Sequence, residues 1–107
     1  MARRPVTSFS FEAVVIEWRG PSPYFYAPIP EEHAETIRAA ARLVSYGWGV
    51  IPVVAMIRDV EFTTSLFPKD GTYLLPLKDA VRKRSGVTVG DMVRVGMRLG
   101  RPGDELS

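Results

Sequence analysis

Apolar side chains along this chain recur first at every second position and then at every third or fourth. From Phe9 to Trp18 the period is two, with Phe9, Phe11, Ala13 and Val15 on one face and Val14, Ile16 and Trp18 on the other. Apolar groups on both faces predict a strand covered on both sides in its second half. Gly20-Pro21-Ser22-Pro23 has the chemistry of a turn, and Tyr24 to Ile29 reads as a short aromatic strand. These first two strands are expected to form a hairpin.

The period then changes. Pro30-Glu31-Glu32 suits a helix entry, because proline presets the backbone and carboxylates complement the positive end of the helix dipole. Ile37, Ala40, Ala41 and Val44 follow at helical spacing as one buried stripe, with Glu35 three residues before Arg38 on the solvent side. Gly47-Trp48-Gly49 is the expected stop. Val50 to Ile57 is a β-branched run too short for a buried helix, so it reads as an interior strand with Pro52 near its start. Val60 to Phe67 and Thr72 to Leu75 are predicted to pair around Pro68-Lys69-Asp70-Gly71. Pro76 is the expected start of a second helix, with Leu77, Ala80 and Val81 inward and Gly86 at its end. After the Gly90-Asp91 turn, Val93, Val95, Met97 and Leu99 alternate against Arg94 and Arg98 in a last strand.

The resulting order is ββα βββ αβ, mostly β with two short helices. A small barrel capped by the helices satisfies it, as one domain over 9–99 between tails at 1–8 and 100–107. The halves echo each other: Ile29-Pro30 and Leu75-Pro76 each precede an amphipathic helix bearing Ile37-Arg38 or Val81-Arg82, a Gly-bearing turn and an apolar strand. Nine Gly and nine Pro in 107 residues mark the boundaries of these short elements. The absence of Cys excludes disulfides, a thiol nucleophile and a thiolate zinc site. The Met1-Ala2-Arg3-Arg4-Pro5 start lacks a following apolar stretch, and the apolar run Val50 to Ile57 falls short of the roughly 20 residues that span a bilayer. The expectation is a cytoplasmic protein with no membrane partner.

Leu75-Pro76, Val81-Arg82, Gly86-Val87, Gly90-Asp91, Val93 and Val95 resemble the AbrB/MazE-like swapped-hairpin pattern over about 20 residues, with one extra residue between Pro76 and Arg82. A second resemblance covers residues 9–99. Phe11, Trp18-Arg19-Gly20, Gly47-Trp48-Gly49-Val50-Ile51-Pro52-Val53, Phe62-Thr63-Thr64-Ser65-Leu66-Phe67-Pro68, Leu75-Pro76-Leu77, Val81-Arg82-Lys83 and Gly90-Asp91-Met92-Val93 are similar to the bacterial and archaeal family called domain of unknown function 1905. That resemblance implies a double-split β-barrel and no established activity.

Catalytic chemistry finds little support. His33 has Thr36 and Ile37 as helical neighbours and reads as an exposed first-turn histidine, not a ligand or base. Glu31 with Glu35, and Asp59 with Glu61, read as solvated carboxylates beside basic residues, without a third ligand. No nucleophile-elbow or phosphate-loop pattern occurs. No catalytic residue, metal site or cofactor is therefore assigned, and an enzyme is only the third reading.

Two features remain. Aromatic residues gather around the expected barrel, either as core filling or as the wall of a small pocket; Trp18, Trp48, Phe62, Thr64, Ser65 and Arg82 are the residues assigned to such a pocket. The overall charge of +2 is also uneven. Residues 1–54 are balanced, five basic against five acidic, whereas residues 77–101 carry seven basic side chains against Asp79 and Asp91, an excess of five. Lys78, Arg82, Lys83 and Arg84 could meet phosphates, or simply form a solvated face. The leading expectation is a non-catalytic binding or interaction module for a small molecule or protein, as monomer or homodimer. The alternative is an AbrB-like DNA-binding regulator that uses segment 77–101.

Overall fold

A computed structural model describes residues 8–18, 24–42 and 51–100. Its elements are β1 (Ser8–Val14), β2 (Ile16–Trp18), β3 (Tyr24–Pro28), a 3-10 turn (Glu31–His33), α1 (Ala34–Ala41), β4 (Pro52–Ile57), β5 (Val60–Ser65), β6 (Phe67–Lys69), β7 (Thr72–Leu77), α2 (Asp79–Ser85) and β8 (Met92–Leu99). The strands form two antiparallel four-stranded sheets, ordered β1-β8-β4-β5 and β2-β3-β7-β6.

The two sheets are joined at both edges by single stretches of chain. β1 runs into β2 through Val15, and β5 runs into β6 through Leu66, so each of two long strands is split between the sheets. The joints are buried and carry hydrogen bonds outside the ladders. Val15 N–H donates to the Asp91 carbonyl and its own carbonyl accepts from Gly90 N–H, both at 2.9 Å; Leu66 N–H donates to the Ile51 carbonyl at 3.0 Å. These bonds answer the requirement that a buried backbone group keep a partner where its ladder breaks off. The result is a small double-split barrel.

The topology is also a repeat. Split strand, strand, helix and strand occur twice, and exchanging β1, β2, β3 and β4 for β5, β6, β7 and β8 reproduces every strand pairing. The echo expected from sequence is therefore present, though not on the prolines that suggested it. Pro30 follows β3, whereas Pro76 lies inside β7, opposite Tyr26.

That position corrects the second helix, which begins at Asp79 and not at Pro76. β6 pairs only with Thr72 to Leu74, so one side of β7 has no ladder at Pro76 and a residue without an N–H fits there. Leu77 and Val81 are buried as expected, but Ala80 is exposed, because the shorter helix turns only one apolar position to the core. Gly86 ends α2 in the left-handed conformation, φ 76°, as the sequence predicted. The turn before β7 is tighter than expected. Lys69 pairs with Thr72, leaving only Asp70 (φ 49°) and Gly71 (φ 84°) as the loop, and Pro68 sits on the edge strand β6.

The inward faces fill one core. Ile29, Ile37, Val53, Ile57, Leu75, Leu77 and Val95 are buried in it, and the predicted alternation of Val93, Val95, Met97 and Leu99 holds throughout β8. Ile37, flanked by the partly buried Ala40 and Ala41, carries the helix α1 contact; Val44 and Gly47 of the expected stripe and stop lie outside the described residues. Among the described residues, no polar or charged side chain is fully buried. No helix among them is long and apolar enough to cross a membrane.

The expectation of a strand covered on both faces near Trp18 is overturned. Val14 is 43% exposed, Ile16 37% and Trp18 48%. At Val15 the chain leaves one sheet for the other, so the outward side chains on either side of the joint face solvent and not a second layer. His33 also differs from expectation: it is half-buried, its ring stacked on Phe9 with centroids 4.6 Å apart.

Candidate functional site

The outward side chains beyond the Val15 joint gather on sheet β2-β3-β7-β6. Alternation along β2 turns Ile16 and Trp18 outward, and alternation along β3 places Tyr24 and Tyr26 on one face, opposite the inward Phe25 and buried Ala27. Register brings Trp18 opposite Tyr24 and Ile16 opposite Tyr26. From the other edge β6 contributes Phe67, half exposed at 50%. Its ring stacks on Tyr26 at 6.0 Å between centroids and 22° between planes, while Tyr24 meets Tyr26 edge-on at 5.3 Å. Such offset and edge contacts each add about 0.5–1.5 kcal/mol beyond buried area.

These rings frame a cleft of about 400 Å³ lined by Trp18, Tyr26, Phe67, Pro68, Lys69, Asp70 and Leu74. The Lys69 ammonium lies 4.5 Å from the centre of the Trp18 ring, and the Asp70 carboxylate is 3.9 Å from that ammonium. The two-residue turn explains the placement, since it holds Asp70 in the loop directly after Lys69. Partial burial pushes the Tyr24 phenol above its ordinary pKa, with the neighbouring Tyr26 phenol and the Asp79 carboxylate adding to the rise and Arg82 opposing it.

The residues assigned from sequence are dispersed around the barrel. Trp18 lines the cleft. Trp48 lies outside the described residues. Phe62 packs partly buried against the core from β5, Thr64 is half-buried two residues along the same strand, and the exposed Ser65 ends it. Arg82 is elsewhere, on α2. Its guanidinium carbon sits 3.6 Å above the centre of the Phe25 ring and its NH2 group pairs with Asp79, while its buried Nε has no hydrogen-bond partner among the described residues. Of the cleft residues that sequence reasoning left out, Tyr26, Phe67, Pro68, Lys69, Asp70 and Leu74, only Tyr26 carries a detectable signal. Tyr24 and Tyr26 are aromatic at alternate positions on a strand whose opposite face, Phe25 and Ala27, is already apolar.

The basic segment is arranged differently. Lys78, Lys83 and Arg84 are exposed on or beside α2, whereas Arg82 is largely covered by Phe25 and Asp79, its side chain 22% exposed. The β4–β5 turn adds Arg58, whose guanidinium donates to the Ser85 carbonyl at 3.4 Å and lies 3.7 Å from the Asp91 carboxylate. Arg94 faces Glu12 across the β1–β8 pair at 3.4 Å. A second, shallower groove of about 450 Å³ runs over the outer face of sheet β1-β8-β4-β5, where Gly96 leaves a gap among Ser10, Met56, Glu61 and Arg98. Among the described residues, no three His, Asp or Glu side chains come together as a metal site.

The family model described as Domain of unknown function (DUF1905) matches residues 11–97, so the chain belongs to that family. No curated protein matches the chain.

Proposed function

We propose that this member of the DUF1905 family is a non-catalytic binding module whose ligand docks on the aromatic face of sheet β2-β3-β7-β6. One observation carries the reading: Trp18 and Phe67 leave about half of their surface in water on opposite walls of one cleft. Exposed rings converging on a concavity with few polar groups are the usual makings of a small-ligand site. A screen of planar, cationic, anionic and sugar ligands against the full chain tests it, read by Trp fluorescence and thermal shift. At least one class is expected to raise the melting temperature, with the response lost in Trp18→Ala. A flat response to every class, or one that survives Trp18→Ala with Phe67→Ala, overturns the reading.

A second reading, nucleic-acid binding, draws on the exposed Lys78, Lys83 and Arg84 and on the Arg58 guanidinium that joins the C-terminal end of α2. It requires binding of mixed-sequence duplex at about 50 mM salt that falls steeply by about 200 mM. An absence of binding at the lower salt rejects it.

A further inference from the structure

We infer that the aromatic cleft is built for an alkylated ammonium group, a soft organic cation without N–H donors; this rests on the reading that the cleft binds a ligand. The position of the cation is already marked within the fold. The Lys69 ammonium sits 4.5 Å from the centre of the Trp18 ring, where the negative face of an aromatic attracts positive charge.

The rest of the lining selects the kind of cation. Tyr26 and Phe67 add two further rings, Pro68 and Leu74 add apolar surface, and Asp70, the one carboxylate among the described lining residues, stands 3.9 Å from the Lys69 nitrogen. A primary ammonium entering this cleft gives up water for few acceptors, whereas an alkylated one is weakly hydrated and loses little. An anionic ligand is disfavoured by the Trp18 ring face and by Asp70, which already neutralises Lys69. Lys69 is thus an internal occupant: its flexible stem lets the ammonium swing into solvent when a better cation arrives, and its departure frees Asp70 to face the newcomer.

The test compares choline with 3,3-dimethylbutan-1-ol, its neutral isostere, by fluorescence titration of the full chain. Choline is expected to bind at least about fivefold more tightly. In Lys69→Met, which keeps the apolar stem but removes the competing charge, choline is expected to tighten by about threefold or more. In Trp18→Leu, which keeps bulk but removes the ring face, choline binding is expected to weaken about tenfold. N-acetyl-trimethyllysine amide presents the same headgroup on a protein side chain, and the tighter of the two ligands names its source. Equal affinity for choline and the alcohol overturns the cation assignment while leaving the ligand cleft standing. Weaker choline binding in Lys69→Met overturns it as well. Failure of both cations to bind either wild type or Lys69→Met also removes the inference, and the wider ligand screen then decides separately whether the cleft binds anything.

Discussion

The outer faces of the two sheets are built by the same alternation yet carry different chemistry. On β1-β8-β4-β5 the outward positions are Ser8, Ser10, Glu12, Arg94, Arg98 and Glu61 together with the exposed aliphatic Val14, Met56 and Met92, with Gly96 leaving an open furrow between strands. On β2-β3-β7-β6 they are Ile16, Trp18, Tyr24, Tyr26 and Phe67. A solvated antiparallel sheet needs only polar outward residues. The first face mixes such residues with single aliphatic side chains; the second exposes large rings gathered around one cleft, the difference on which the proposed binding site rests.

The contrast can be broken from the inside first. Leu75 lies on the inner side of the aromatic sheet, with no exposed surface, and Leu75→Ala is expected to cost about 2–5 kcal/mol in urea unfolding. Trp18→Ala on the outer side of the same sheet should cost less than about 1 kcal/mol while removing ligand binding. A loss as large as that of Leu75→Ala would make Trp18 a packing residue and erase the distinction between the faces. On the β1-β8-β4-β5 face, a Cβ at Gly96 meets no atom within 4 Å, so Gly96→Ala should stabilise by about 0.4–1 kcal/mol. A loss of stability there would show that the furrow is constrained. The smallest effect concerns Tyr24. Its folded pKa is raised, so the stability tied to it is present below the unfolded value of 10.0 and is lost as pH climbs through the folded one. Tyr24→Phe should therefore match the wild-type pH profile up to about pH 9 and diverge only above pH 10.

Much of the barrel was legible along the chain. The alternation of β8, the Glu35–Arg38 pair at 3.1 Å, the Gly86 stop and the Asp70-Gly71 turn are local, set by side-chain parity or by a backbone angle that one residue type supplies most readily. The two splits were not. Val15 and Leu66 continue the alternation of their strands, and what divides those strands is the choice of partner, β8 then β3 for one and β4 then β7 for the other. Partner choice depends on residues far away in sequence. The site suffered from the same blindness. The sequence names Trp18, which lines the cleft, but apolar residues on both faces of a strand have two causes, a second covering layer or an exposed apolar face. Only tertiary placement separates them. Phe62 and Arg82 drew notice as an aromatic and a cation, yet one packs toward the core and the other lies flat on Phe25.

The pairing of β1 with β8 also sets an order in time. Ser8 waits for Arg98 and Val14 for Met92, contacts of high sequence separation that fold slowly. Sheet β2-β3-β7-β6 needs nothing beyond Leu77 for its ladders, while β1-β8-β4-β5 is incomplete until β8 has been made. During synthesis the strands beneath the aromatic cleft can therefore pair before the barrel closes. Until β8 slots between β1 and β4, each of those strands keeps an open edge, and that interval is when the nascent chain is most exposed to pairing with the wrong strand.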